Sequence, residues 1–247
     1  MISSVASSEP VQSKSPENFH AYRARRSVLS VHRRCVCDSA LLHEAVMGGV
    51  QVNPYATGTG PYPLFRRAMV FVDGENLVCR YQDMLTGGKT PHLSVQHRRG
   101  VFVWAPGTVK IYGLYEIERA TYYTYTTGDE TAWETVCEEL RRISFTPHAG
   151  SQLPSNLFPR VFRKKQNARG GKGVDIQMTV DILGHAYRNN FDILYLVSGD
   201  GDYRPLIEDV ARVGKQVYVA ALSSGLNPML SKAADVFVDL DAHYFVR

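Results

Sequence analysis

No stretch of the 247-residue chain approaches the roughly 18 uninterrupted apolar residues that cross a bilayer, and its N-terminus lacks the basic-then-apolar layout of a secretory signal. The expectation is a soluble, cytoplasmic protein with no membrane partner. Cysteine is scarce. The four residues, at 35, 37, 79 and 137, are too few and too unevenly spaced for a disulfide framework in a chain of this length, and they read as reduced thiols. His32, Cys35, Cys37 and His43 make a poor zinc set, because a single Cys-x-Cys is the wrong spacing for a knuckle. Two glycine signatures are also missing. The first apolar run leads into Asp-Gly-Glu-Asn and not Gly-x-Gly-x-x-Gly, which disfavours a dinucleotide oxidoreductase, since the acid would repel pyrophosphate. No Gly-x-Ser-x-Gly elbow surrounds Ser198, which disfavours a serine hydrolase.

What is present is enough for a sizeable core: 44% of residues are hydrophobic and 21% charged. The net charge of +4 is unevenly spread. Residues 1–67 carry eight Lys or Arg against four acids, while residues 68–247 carry twenty of each. Within that neutral part, residues 140–174 contain Arg141, Arg142, Arg160, Arg163, Lys164, Lys165, Arg169 and Lys172 and no acid. Such a stripe is either a solvated surface or a path for phosphates.

The leader opens on a Ser-rich, Pro-containing run, Ser3 to Pro16, which has no apolar period and is expected to be disordered. Residues 19–47 have patchy amphipathicity that fits a short helix, and Gly48 to Pro63 reads as a linker. Being rich in Arg and poor in acids, the leader also has the look of a transit peptide. Met47 lies just before the linker, and one hypothesis is that translation starts there. An intact native mass beginning at Met1 would remove it.

From Ala68 onward, strand and helix patterns alternate. Strands are expected at Ala68–Val72, within Thr108–Tyr125, and at Arg160–Arg163, Asp192–Val197, Gln216–Leu222 and Asp235–Leu240. Helices are expected at Glu75–Leu85, Asp129–Ile143, Val174–Arg188, Tyr203–Val213 and Asn227–Ala234. Gly87–Pro106 reads as an inserted loop with a short strand at Val101–Trp104. This rhythm predicts a three-layer, Rossmann-like α/β domain with a mostly parallel sheet and helices on both faces. In such a sheet, strand carboxyl ends and helix amino ends share one edge, where ligands bind.

Three acidic motifs fall at that edge. Asp73-Gly-Glu-Asn76 follows the first strand, and Gly170-Gly-Lys-Gly-Val-Asp175 opens a helix, its backbone donors also suited to a phosphate. Ser198-Gly-Asp200-Gly-Asp202 follows the strongest strand, with Asp202 placed to cap the next helix. Taken singly, each aspartate could be a cap or turn residue. Together, four carboxylates would repel one another unless a cation neutralised them. Hard oxygen donors with no Cys or His among them select Mg²⁺ or Mn²⁺. Two such ions about 3.5–4 Å apart, or one with an oriented water, would generate a hydroxide nucleophile at a phosphodiester.

The strings VFVDGENL, KGVDIQMTVDIL and LVSGDGDYRPLIEDVARVGKQV, with the closing LSKAADVFVDL, resemble the NYN domain of the LabA-like group in the PIN-like nuclease superfamily. The resemblance covers roughly residues 68–241 and separates a leader over 1–67 from a nuclease domain over 68–247. It implies a metal-dependent endoribonuclease in which Asp73, Asp175, Asp200 and Asp202 hold the metal and Asn76 and Ser198 steady the site. Asp181 also matches the family pattern, but it lies six residues from Asp175 and so about 120° around the helix, which points to a supporting or structural role. RATYYTY at 119–125 is similar to the family's aromatic second strand. The long 87–106 insertion and the leader depart from the family.

The implied partner is RNA in single-stranded or loop regions, with a homo-oligomer left open. Arg160, Arg163, Lys164, Lys165, Arg169 and Lys172 would contact phosphates, and Tyr122, Tyr123 or Tyr125 would either stack on bases or pack against a helix. Two other classes compete: a non-catalytic RNA-binding or adapter module, and a small-molecule phosphohydrolase. Against the latter, Asp73-Gly-Glu-Asn lacks a second Asp two residues on for a nucleophile and acid pair.

Overall fold

The apolar run that begins at Ala68 becomes strand β1 (Arg66–Asp73), buried from Ala68 to its end in the computed structural model, which describes residues 65–163 and 172–246. The leader's expected helix, the His32, Cys35, Cys37 and His43 set, and Lys164, Lys165 and Arg169 lie outside the described residues. Asp73 caps helix α1 (Gly74–Thr86), accepting a hydrogen bond from the Asn76 amide.

The 87–106 insertion is a hairpin and not a loop. Strands β2 (Gln96–Arg98) and β3 (Phe102–Trp104) pair antiparallel, and Phe102, Val103 and Trp104 are buried in the main core. Short strands of three residues carry too little periodicity for the first of them to show in the sequence. Strand β4 (Tyr115–Thr126) begins seven residues later than expected, and helix α2 (Glu130–Arg142) follows with Asp129 as its cap and Arg141 and Arg142 in its last turn. The two-residue strands β5 (Ser144–Phe145) and β6 (Ser155–Asn156) were not foreseen; they pair to hold the connection to β7 (Phe158–Arg163).

The remaining elements run α3 (Lys172–Tyr187), β8 (Ile193–Val197), a 3₁₀ turn (Gly201–Tyr203), α4 (Arg204–Arg212), β9 (Gln216–Ala221), α5 (Pro228–Ala233), β10 (Val236–Asp239) and a closing turn α6 (Asp241–Tyr244). Six strands form one sheet in the order β10-β9-β8-β1-β4-β7, and every neighbouring pair is parallel.

Alternation along the central strands divides the core in two. Ala68, Val70 and Val72 of β1, with Ile193, Tyr195 and Val197 of β8, face a layer that contains α1, α2 and the hairpin. Met69 and Phe71, with Leu194 and Leu196, face α3, α4 and α5. Each buried Val, Leu, Ile, Phe or Met among them contributes roughly 1.5–3 kcal/mol. The result is the expected three-layer α/β sandwich, apolar on both faces of its middle strands. Among the described residues, no helix is long and apolar enough to cross a membrane.

Candidate active site

Strands β1 and β8 lie side by side with Val72 opposite Val197, so the next residues, Asp73 and Ser198, leave the sheet together at its carboxyl edge. The Ser198 hydroxyl donates to Asp73 Oδ2 at 3.0 Å, and the Asn76 amide donates to Asp73 Oδ1 at 3.0 Å. Asn76 Oδ1 accepts from the Gly199 amide at 3.0 Å, and Ser198 Oγ accepts from the Asp200 amide at 3.1 Å. Asn76 and Ser198 therefore clamp the two acidic loops to each other.

Asp175 reaches the same edge from the first turn of α3 and accepts a hydrogen bond from the Tyr203 hydroxyl at 3.2 Å. A cavity of about 220 Å³ is lined by Asp73, Glu75, Asn76, Cys79, Arg80, Asp175 and Asp200. A second cleft of about 210 Å³ adjoins it and shares Asp175 and Asp200; its other walls are Ile176, Thr179, Val180, Asp202 and Tyr203. Three of the four predicted acids thus meet in one cavity, while Asp202 stands on the neighbouring cleft, exposed in the 3₁₀ turn.

Burial is the main force on Asp73, which is 3% exposed, and it pushes the carboxyl up to about 7. The Asn76 and Ser198 donors pull it down, and the charges of Asp175 and Asp200 push it up again. Asp175 is also raised, by burial first, with the Tyr203 hydroxyl opposing and Asp200 and Asp202 adding to it. Burial first, and then Asp73, Asp175 and Asp200, hold the Tyr203 phenol far above its usual range, so it stays a proton donor to Asp175.

These residues fit a hard divalent cation: the donors are oxygens, and their mutual repulsion calls for positive charge. They do not form a closed cage. Among the described residues, no three His, Cys, Asp or Glu side chains are gathered tightly enough to hold a metal ion directly. Of the expected ligand set, Asp73, Asp175 and Asp200 line one cavity, while Asp202 sits on the second cleft and the Tyr203 hydroxyl holds Asp175. Mg²⁺ suits such a site, since it keeps several waters and takes one or two carboxylates directly.

Replacing Tyr203 with phenylalanine is expected to raise the Asp175 carboxyl further, at about 1 kcal/mol of stability, and to move upward the pH profile of the Mn²⁺ binding proposed below. Calorimetric titration with Mn²⁺ between pH 5.5 and pH 8 checks it; an unchanged profile would show that the hydroxyl does not tune Asp175.

Other sequence expectations are corrected. Asp200, not Asp202, is the capping side chain, accepting from the Asp202 amide at 3.0 Å, and α4 starts with no side-chain cap. Tyr122 and Tyr123 are 0% and 1% exposed and cannot stack on bases. Tyr122 donates to and receives from the Val103 backbone, and Tyr123 donates to Asp181 Oδ2 at 2.7 Å. Tyr125 is partly buried against the second core layer. Asp181 turns away from the acids, as its place on the helix implied. Burial works to raise its carboxyl, but Tyr123, Gln177 and Arg160 hold it below the usual range.

The basic stripe is less free than it looked. Arg160 pairs with Asp181 at 3.1 Å, and Arg163 pairs with Glu130 and lies over the Trp133 ring. Seven residues of the two clefts were missed: Glu75, Cys79, Arg80, Ile176, Thr179, Val180 and Tyr203. The first three share the helical face of Asn76, at 75, 76, 79 and 80, which was a readable signal. Arg80 lies across Gly225 and donates to Asp83 at 3.2 Å.

The six-stranded parallel sheet carries acids at its carboxyl edge, and the chain falls in the PIN-like nuclease superfamily. A family model of the NYN domain matches residues 67–241, and the chain belongs to that family. Among solved structures, VPA0982, a protein of unknown function from Vibrio parahaemolyticus RIMD 2210633, is similar at 21% identity, covering 76% of this chain and 100% of that one with a TM-score of 0.46. No curated protein matches.

Proposed function

We propose that the protein is a metal-dependent endoribonuclease that cleaves single-stranded or looped RNA. The observation that carries this reading is the shared cavity of Asp73, Asp175 and Asp200, with Asp73 buried among acids at the sheet's carboxyl edge. One or two of Asp73, Asp175 and Asp200 would hold Mg²⁺ or Mn²⁺ directly and the rest through its waters, with Asp202 at the rim. Once bound, the cation supplies charge neutralisation, a water of lowered pKa and stabilisation of the departing oxygen.

The chain's own residues do the rest. Ser198 and Asn76 fix the Asp73 carboxylate in one orientation, and Tyr203 does the same for Asp175. The site opens at the surface, so a continuous strand can cross it without threading an end. Lys164, Lys165, Arg169 and Lys172, which lead into α3, would add salt-dependent affinity for phosphates. Arg160 and Arg163 would add less while paired with Asp181 and Glu130.

The test is hydrolysis of RNA by the purified protein with Mg²⁺ or Mn²⁺, beside Asp73→Asn and Asp200→Asn. Cleavage lost in both variants and in EDTA is the expected result. Equal activity in all three proteins removes the proposal, and binding without turnover turns it into a non-catalytic RNA-binding module.

A further inference from the structure

We infer that the cleft walled by Ile176, Thr179 and Val180 is a subsite for one base of the substrate strand, a reading that rests on the nuclease proposal above. Helix α3 has two apolar faces. Val174, Met178 and Ile182 bury one of them in the core. Ile176 and Val180, one turn apart, form the other and stand 64% and 57% exposed. Among the described residues, Ile176 and Val180 pack against neither core layer.

Size and sharing decide what fits. The polar cavity and the apolar cleft, about 220 and 210 Å³, are each below the ~300–1,000 Å³ of a pocket for a drug-sized ligand. They meet at Asp175 and Asp200, so one nucleotide has to span both. Its phosphate belongs with the cation site. Its base belongs against Ile176 and Val180, because Asp202 on that rim repels a phosphate but not a neutral ring. The Tyr203 hydroxyl is engaged with Asp175, which leaves Thr179 and Asp202 as the polar side chains that can meet a base edge on that wall. The subsite demands a base, and its apolar wall accepts any of them. A second copy of the chain is the rival occupant, but a two-fold contact through this cleft would set Asp175, Asp200 and Asp202 of both copies close together.

The experiment uses the full chain and its Val180→Ser variant, whose exposed position leaves the melting curve unchanged. Both are assayed on a single-stranded oligonucleotide with a mapped cleavage site, and on two versions lacking the base immediately 5′ or 3′ of the cleaved bond. Val180→Ser is expected to lower kcat/KM on the intact strand about tenfold, mainly through KM. That difference should vanish on one of the two abasic strands. Cleavage with no base-dependent difference overturns the subsite and leaves the nuclease reading standing. No cleavage, with anisotropy showing that Val180→Ser weakens binding of the intact strand but not of a fully abasic strand of the same length, removes the nuclease reading and keeps the subsite. Loss of both effects removes both. A wild-type dimer that Val180→Ser dissociates in sedimentation assigns the cleft to a second copy and also overturns the inference.

Discussion

Exchanging Asp73 for asparagine is expected to raise the melting temperature of the metal-free protein at pH 8 while cutting the proposed metal-dependent hydrolysis by roughly a hundredfold or more, since loss of even a partner that orients a metal ligand costs about 10–100-fold. The reason is the same for both effects. Folding moves the Asp73 carboxyl from 3.8 up to about 7, chiefly by burial. Between those values the folded chain holds a proton that the unfolded chain has released, so stability falls as pH rises through this window and levels off above about 7. At about 1.4 kcal/mol per pH unit the loss approaches about 4 kcal/mol, an upper figure. Asparagine has no charge to bury and keeps an acceptor for the Asn76 amide. At pH 8 the variant should melt up to about 10 °C higher in EDTA, and the two proteins should converge near pH 4. Calorimetry at both pH values checks this. A variant less stable than wild type at pH 8 would mean that the buried charge is no burden. Saturating Mg²⁺ or Mn²⁺ should narrow the gap by stabilising only the wild type.

Gly74→Ala should be the most damaging conservative change at the site. In a helix interior, alanine is ordinarily better than glycine by about 1 kcal/mol. Here a Cβ would stand 2.4 Å from Tyr122 Cε1 and 2.5 Å from the Tyr123 carbonyl oxygen. Neither can retreat: Tyr122 is fully buried with its hydroxyl held by Val103, and the Tyr123 carbonyl is part of β4. The expected cost is about 1–3 kcal/mol, with α1 pushed off and Asp73 drawn away from Ser198. Gly173→Ala in α3 is the control. A Cβ there meets nothing within 4 Å, so the same exchange should be neutral or mildly stabilising. Denaturant melts of the two variants should move in opposite directions; a harmless Gly74→Ala would show that β4 and α1 separate easily.

The order of strands and helices was legible because the middle strands are apolar on both faces and too short to be helices, as Met69-Val-Phe-Val72 and Leu194-Tyr-Leu-Val197 show. The same property hid the fate of the tyrosines. When both faces are covered, alternation gives the side of the sheet but not the exposure, so Tyr122 and Tyr123 ended in opposite core layers. The carboxyl-edge positions of Asp73, Asp175 and Asp200 followed from chain order alone. Which aspartate of Asp200-Gly-Asp202 would cap the turn did not, because a shift of one or two residues leaves the motif unchanged. The Arg160–Asp181 pair joins β7 to α3 and has no local signature.

The hydrogen bond from Ser198 to Asp73 joins residues 125 positions apart. It forms only after β1 has been held in waiting through the synthesis of β4, α2, β7 and α3, until β8 arrives to lie beside it. A growing polypeptide on the ribosome therefore has no assembled acidic centre for most of its translation. Any truncation before residue 198 leaves Asp73 with its Asn76 amide but without the Ser198 hydroxyl and Asp200, so such fragments lack the shared acidic cavity.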